Sequence, residues 1–251
     1  QDKGSSWHEM LVSDNKNREW VILQDQSQIP SFPQHNSSWQ ASYDGALVLN
    51  DIIIDAGANT LFFLTWGRLN GDSTNPDTNP DFLTMQENLT DGYFAYQAAT
   101  STDTRTTWIA PVGFAFADIY HDSIANKKDP TSPDALFAQL YNPDGSHPSV
   151  YGTYLIATVF YATITGKTPI GLALPKQIEK KIGQRLQVAA DTAVFGSTDQ
   201  ISYIWEKNTT TTPTNDTGDD TGTGTDTDTD TDTTLSTGDT AVDSDQPVDA
   251  C

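Results

Sequence analysis

The chain alternates short apolar runs with longer segments of helical character. Three runs are rich in β-branched and aromatic side chains and short enough to be buried strands, namely residues 20–24 (WVILQ), 60–66 (TLFFLTW) and 106–113 (TTWIAPVG). Five longer segments are predicted to be helices, namely residues 37–58, 87–100, 114–126, 149–165 and 176–193. Ser37 or Ser38 is expected to cap the first helix and Gly57 to end it. Pro148 opens the fourth, and Gly166 ends it.

The order of these elements predicts the fold class. Strands and helices alternate from residue 20 to residue 126, which is typical of βαβ units and a parallel sheet. Right-handed crossovers place helices on both faces, so we expect an α/β protein with three α/β/α layers. Sites in such sheets lie at the carboxyl ends of the strands, here after Gln24, Thr65 and Pro111.

Charge divides the chain into two predicted parts. Residues 208–251 hold eleven Asp and no Lys, Arg or aromatic residue, so they cannot bury enough apolar surface to fold. We therefore expect a disordered Thr/Asp-rich spacer there. Ordered calcium binding is not expected, because the Asp/Thr run lacks the glycine turn and the closing Glu of a good calcium-binding loop. The folded domain is predicted at residues 1–207, which contain every Trp, Tyr and Phe.

The composition excludes several classes of function. A net charge of −21 is unsuited to nucleic acid and to anionic membrane surfaces. No apolar run is long enough for a membrane-spanning helix, and the single Cys251 excludes an internal disulfide framework and a Cys-based zinc site. His8 and His35 have no ligand spacing, so we expect no metal and no cofactor. One cysteine and a long acidic tail favour an extracellular or cell-surface location.

A D-x-x-H pair, Asp144 and His147, is the strongest candidate for chemistry. It lies in a polar Asp-Gly-Ser turn just before the predicted helix that Pro148 opens. On such a turn the carboxylate reaches one ring nitrogen and leaves the other facing a site, as in hydrolases that use histidine as a general base. The spacing alone is more typical of an ordinary surface turn.

The surrounding sequence resembles a known family. The string DGSHPSVYGTYL looks like the last sequence block of the SGNH (GDSL-type) hydrolases, and WVILQDQSQIP, LFFLTW and WIAPVGFAF add to the likeness. The match covers about residues 20–169 and is closest to a bacterial branch that is uncharacterised. The resemblance implies a flavodoxin-like α/β/α fold, ester hydrolysis without a cofactor, often deacetylation of carbohydrates, and a serine nucleophile after the first strand.

Only some of the family's residues have counterparts here. His147 matches the family's base and Asp144 its orienting carboxylate. The family's Gly-x-Asn-Asp block supplies an oxyanion-hole Asn, and here Gln26 stands at that place, with Gln24 as a second candidate. Either glutamine is equally suited to tying down a loop. The nucleophile block is expected before the strand at Trp20, so we expect the sequence to begin inside the domain and this fragment to be inactive.

Three other groups of residues are weaker candidates, because each also has a simpler structural interpretation. Trp66 and Arg68 follow the second strand and are tentative substrate-binding residues, the alternatives being core packing and a surface ion pair. Ser73 lies in a GDS string, but its Asn/Pro-rich loop lacks the sharp strand-to-helix turn of a nucleophile. Asp118 and His121 form a second D-x-x-H inside a predicted helix, where an exposed pair is expected.

Together these observations predict a serine-type ester hydrolase. Its substrate is expected to be a small acyl or acetyl ester, including esters on polysaccharides. The alternative is a non-catalytic surface module that binds carbohydrate or has a structural role on the same scaffold.

Overall fold

A computed structural model of the protein describes residues 18–197 and 200–206. The predicted spacer at residues 208–251 and the segment before Trp20, where the nucleophile block is expected, lie outside or almost outside these residues. None of the helices in the described ranges is both long enough and apolar enough to cross a membrane.

Three parallel strands form a sheet in the described part of the chain: β1 (Trp20–Leu23), β2 (Asn59–Phe63) and β3 (Trp108–Ala110). Their order across the sheet follows their order along the chain. Leu61 at the centre of β2 pairs with Ile22 on one side and with Trp108 on the other. All three predicted strands are therefore present, each shorter than its apolar run.

Helices connect and follow these strands. Within the described ranges they are α1 (Ser37–Asp55), α2 (Phe82–Thr100), α3 (Val112–Ala125), α4 (Leu136–Gln139), α5 (Val150–Thr165) and α6 (Lys180–Phe195). A 3-10 turn, Ile29–Ser31, follows β1. The turn and α4 are too short for a periodic pattern, so sequence periodicity did not predict them.

The helix starts differ from the prediction in several places. Helix α6 begins at Lys180, four residues after the predicted Lys176, and α3 begins at Val112, two residues before the predicted Phe114. Asn36, not Ser37 or Ser38, caps α1, because its side-chain oxygen accepts hydrogen bonds from the backbone N–H groups of Ser38 and Trp39. Helix α2 begins five residues before the predicted Glu87. Asp81 caps it by accepting the Thr84 N–H at 2.8 Å. Both caps lie in polar loops whose residue types are typical of turns as well as of helix caps, so the sequence did not distinguish the two.

The two faces of the sheet are covered by different helices. Alternate side chains of a strand point to opposite faces. Phe62 packs against Tyr96 of α2, with ring centroids 6.1 Å apart, whereas Phe63 meets Phe160 of α5 edge-on at 4.8 Å. Ile164 of α5 also packs on the second face. The three-layer α/β/α architecture with a parallel sheet is confirmed.

Candidate active site

A tight hairpin holds the D-x-x-H pair. Its base is closed by two backbone bonds, from Asn142 N–H to the His147 carbonyl oxygen at 2.8 Å and from Ser149 N–H to the Leu140 carbonyl oxygen at 2.8 Å. Gly145 turns the chain with a φ of +66°, a left-handed conformation that glycine adopts at little cost. Ser149 then caps α5. The hairpin and the helix start therefore fix the backbone of His147 from both sides.

The Asp144 carboxylate organises the turn and the histidine ring. Its Oδ1 accepts the backbone N–H groups of Ser146 at 2.8 Å and His147 at 2.9 Å, and its Oδ2 lies 2.8 Å from His147 Nδ1. These backbone N–H groups, together with the ring, lower the pKa of Asp144 to about 2. An ionised carboxylate only accepts hydrogen bonds, so in the neutral form of the His147 ring the proton lies on Nδ1 and the lone pair on Nε2.

The hairpin is attached to the segment that follows β2. The backbone N–H of Leu69 donates to the Gly145 carbonyl oxygen at 2.8 Å, and the Trp66 indole Nε1 donates to the Ser146 carbonyl oxygen at 3.1 Å. Trp66 is itself held by stacking on Phe116 of α3, with ring centroids 4.8 Å apart and an angle of 10° between the planes. The position of His147 thus depends on residues about 80 positions earlier in the chain.

A cavity of about 480 Å³ lies between this hairpin and the carboxyl ends of β1 and β2. Here it is called the catalytic cavity, and its lining includes Gln24, Gln26, Trp66, Arg68 and His147. The structure therefore brings together five of the six predicted site residues. The sixth, Asp144, contacts the Nδ1 atom of His147. The segment directly after β3, which begins at Pro111 and was expected to contribute, does not line it.

The two glutamines differ in how they are held. Gln24 is exposed at the end of β1. Gln26 accepts the backbone N–H of Gln28 on its side-chain Oε1 at 3.1 Å, so it does tie the loop down. The oxygen end of this amide is engaged, whereas its NH2 end, a hydrogen-bond donor, has no partner among the residues that the structure describes. Gln26 thereby has the group that an oxyanion needs.

Arg68 links the loops that follow β1 and β2. Its Nη1 lies 2.6 Å from Asp72 Oδ1, and its Nη2 donates to Ser27 Oγ at 3.0 Å and to Gln28 Oε1 at 2.5 Å. The Asp72 side chain is fully buried, so the surface ion pair considered from the sequence is wrong. Because Nη1 and Nη2 bind these protein groups, we assign Arg68 to holding the loop after β1 that contains Gln26, here called the Gln26 loop.

Sequence reasoning did not find three residues that shape this site. Gln86 of α2 accepts the Gly67 N–H on its Oε1 at 2.9 Å, and the Tyr141 hydroxyl donates to the Gly67 carbonyl oxygen at 2.7 Å. Burial raises the pKa of Tyr141. Asp25 lines the catalytic cavity, and its Oδ1 accepts the Gln26 N–H at 2.6 Å. The only sequence signal for Asp25 was its place directly after a predicted strand.

Neither Ser73 nor the second D-x-x-H pair, Asp118 and His121, lines the catalytic cavity. Ser73 is exposed on a turn and does not line the catalytic cavity. Asp118 pairs with Arg185 at 2.7 Å, and His121 is exposed beside Tyr120, so the second D-x-x-H has no histidine–carboxylate bond. Within the described ranges, no three His, Cys, Asp or Glu side chains are grouped to hold a metal ion.

Comparison with known proteins gives structural neighbours only. No protein-family model matches the sequence, and no curated protein matches it. The fold is similar to that of a DUF4886 family protein from Bacteroides uniformis, with a TM-score of 0.59 and 18% identity over 79% of this chain and 70% of that one. A putative SGNH hydrolase from Slackia heliotrinireducens matches with a TM-score of 0.43 and 19% identity, over 61% and 69% of the two chains.

At 18% identity the likeness is one of fold. The likeness to the DUF4886 family protein supports the predicted α/β fold, and the SGNH assignment stays a prediction from the sequence motifs. The activity is a separate question, which depends on the residues of the site.

Proposed function

We propose that this protein is a serine-type ester hydrolase in which His147 is the general base and Asp144 its orienting carboxylate. The observation that carries the proposal is the 2.8 Å contact between His147 Nδ1 and Asp144 Oδ2 at the edge of the catalytic cavity. This contact fixes the ring tautomer that leaves Nε2 as a base.

The proposed reaction has two steps. A serine hydroxyl attacks the ester carbonyl while His147 Nε2 takes its proton, and the same proton then leaves with the alcohol as the acyl-enzyme forms. In the second step His147 takes a proton from water while the water oxygen attacks the acyl-enzyme, and His147 then returns that proton to the serine oxygen as the carboxylic acid is released. As the family resemblance implies, the proposed nucleophile lies N-terminal to β1.

Oxyanion stabilisation is proposed for the loop after β1. The NH2 group of Gln26 is the candidate donor, and Gln24 is the second. Trp66 lines the catalytic cavity beside them and is proposed to form a wall of the substrate site, whereas Arg68 also lines the cavity and is proposed to act by holding the Gln26 loop. The proposed substrates are small acyl or acetyl esters, including those on carbohydrates, encountered outside the cell or at its surface.

The test is p-nitrophenyl acetate hydrolysis by the full-length protein, including all residues N-terminal to Trp20. We expect His147→Ala to lower kcat by about a thousandfold or more, because a general base and its nucleophile act as a unit. His121→Ala is the matched control, since His121 belongs to the D-x-x-H without a histidine–carboxylate bond, and it should retain the wild-type rate. Equal rates for wild type and His147→Ala would contradict the proposal and favour a binding or structural role.

A further inference from the structure

Residues 66–69, which follow β2, contact both halves of the candidate active site. Here they are called the bridging segment. Trp66 and Leu69 donate hydrogen bonds to backbone carbonyl oxygens of the hairpin that carries His147, at 3.1 and 2.8 Å. Arg68, between them, donates to two side chains of the Gln26 loop. The distance between His147 and the Gln26 loop therefore depends on how this one segment is held.

Two buried side chains hold the backbone of Gly67, at the centre of the bridging segment. Gln86 of α2 accepts the Gly67 N–H on Oε1 at 2.9 Å and donates from Nε2 to the Thr65 carbonyl oxygen at 3.3 Å. The Tyr141 hydroxyl donates to the Gly67 carbonyl oxygen at 2.7 Å. Gln86 and Tyr141 are 5% and 6% exposed, so a broken bond leaves a buried polar group without water to replace the lost partner.

Close packing confines the Gly67 backbone and the Gln86 amide. A Cβ built at Gly67 would lie 2.8 Å from the carbonyl oxygen of Phe82, the first residue of α2. A Cβ built at Gly113, in the first turn of α3, would collide with Gln86 Nε2. Neither Gln86 nor Tyr141 lines the catalytic cavity, so neither is placed to touch a substrate there. Any effect of these two residues on a reaction must therefore act through the bridging segment.

We propose that Gln86 and Tyr141 are positioning residues, which hold the Gly67 backbone and thereby keep His147 and Gln26 at the separation that ester hydrolysis requires. This assignment rests on the proposed function. When either side chain loses its bond to Gly67, the bridging segment shifts and displaces the base and the candidate oxyanion donor together. A displacement of about 1 Å lowers the rate of such a reaction about a hundredfold, whereas most of the cavity wall remains. The effect therefore falls on kcat and not on KM.

The first experiment measures kcat and KM for p-nitrophenyl acetate with the full-length protein. Gln86→Met keeps the length of the side chain and removes both hydrogen bonds of the amide. We expect kcat to fall at least tenfold, because both reacting groups move, while KM changes less than twofold.

Gln187→Met is the matched control. Gln187 of α6 is 2% exposed, and its amide likewise accepts a glycine N–H, that of Gly171, and donates to the Leu172 carbonyl oxygen. It does not line the catalytic cavity. This variant should lose as much stability in urea as Gln86→Met and keep the wild-type kcat. An equal fall of kcat in both variants would overturn the positioning role.

Tyr141→Phe serves if Gln86→Met does not fold, because it removes only a hydroxyl group. We expect kcat to fall about tenfold with KM unchanged. Its control is Tyr203→Phe, since the Tyr203 hydroxyl is also buried and lies 3.2 Å from Ser197 Oγ. Wild-type kcat in Tyr141→Phe would contradict the assignment of Tyr141.

The second experiment, amide hydrogen exchange, does not depend on turnover. The Leu69 N–H bonds to the Gly145 carbonyl oxygen in the hairpin, and the Ile29 N–H bonds to the Gln26 carbonyl oxygen at 3.1 Å, so these two amides report on the two halves of the site. Exchange at both should be at least tenfold faster in Gln86→Met than in the wild type and in Gln187→Met.

The two proposals fail in different ways. Faster exchange at both amides in Gln86→Met, in a protein whose wild type hydrolyses no ester, would uphold the holding of the two halves by Gln86 and contradict the proposed function. Hydrolysis that depends on His147, with unchanged exchange and unchanged kcat in Gln86→Met, would overturn the positioning role and leave the proposed function standing.

Discussion

Trp66 and Ser146, 80 positions apart in the sequence, are joined by a hydrogen bond from the indole Nε1 to the backbone carbonyl oxygen at 3.1 Å. Ser146 is the residue before His147, and Trp66 lies just beyond β2. The bond therefore ties the turn that carries the histidine to the carboxyl end of a central strand.

Trp66→Phe removes this hydrogen bond and keeps an aromatic ring against Phe116. We expect kcat to fall about tenfold because His147 is less well positioned, and the free energy of unfolding to fall by about 1 kcal/mol. Trp205→Phe is the matched control, since Trp205 donates to the Thr163 carbonyl oxygen at 3.1 Å and stacks on Tyr203 far along the chain from the hairpin. Urea unfolding should give similar losses for both variants, and a similar loss of activity in both would count against the positioning role.

Asp144→Asn changes the tautomer of His147. An Asn NH2 facing Nδ1 donates a hydrogen bond, so Nδ1 must accept and the ring proton moves to Nε2, where the base is needed. We expect kcat to fall about a hundredfold or more. Asp134→Asn is the control, because Asp134 is also an exposed aspartate whose pKa a neighbouring side chain, Ser132, lowers. Unchanged kinetics in Asp144→Asn would show that the pair has no catalytic role.

The pKa of Asp144 also predicts a pH dependence of stability. The folded-state pKa of about 2 is below the value of about 3.9 expected in the unfolded chain. The ionised carboxylate therefore stabilises the fold above about pH 4, and this contribution is lost as the pH falls towards 2. The difference in Tm between wild type and Asp144→Asn should be largest above pH 4 and shrink at lower pH. A constant difference would contradict the assignment.

Gln26→Glu tests the proposed oxyanion donor. Glutamate keeps an oxygen that accepts the Gln28 N–H, and replaces the NH2 donor by a second acceptor. We expect kcat to fall about a hundredfold while thermal stability stays near that of the wild type. Gln24→Glu, made in parallel, identifies which of the two glutamines meets the oxyanion. If neither variant changes kcat, the donors are backbone N–H groups alone.

Arg68→Met leaves the buried Asp72 carboxylate without its guanidinium partner. We expect the free energy of unfolding to fall by about 3 kcal/mol, and the double variant with Asp72→Asn to recover part of it. Arg185→Met is the control, because the Arg185 and Asp118 side chains are 26% and 29% exposed, and its cost should be below about 1 kcal/mol. Equal costs measured by urea unfolding would mean that burial does not decide the strength of these pairs.

The sequence by itself determined the features that depend on near neighbours. The Asp144–His147 pair spans four residues of one turn, and Gly166 ends α5 through its own left-handed φ of +65°. The apolar runs identified β1, β2 and β3, and the alternation of strands and helices predicted the parallel sheet. Short-range geometry is encoded locally, and for that reason it was readable from a single sequence.

Only the tertiary structure decided which distant side chains meet. Tyr141 and Gly67 are 74 positions apart, and Tyr96 reaches Asp25 across 71 positions. No periodicity or spacing indicates such partners, because they are chosen by how the helices pack on the two faces of the sheet. The same packing made Asp72 the buried partner of Arg68. Residue types gave the available chemistry, and long-range packing decided which groups share a cavity.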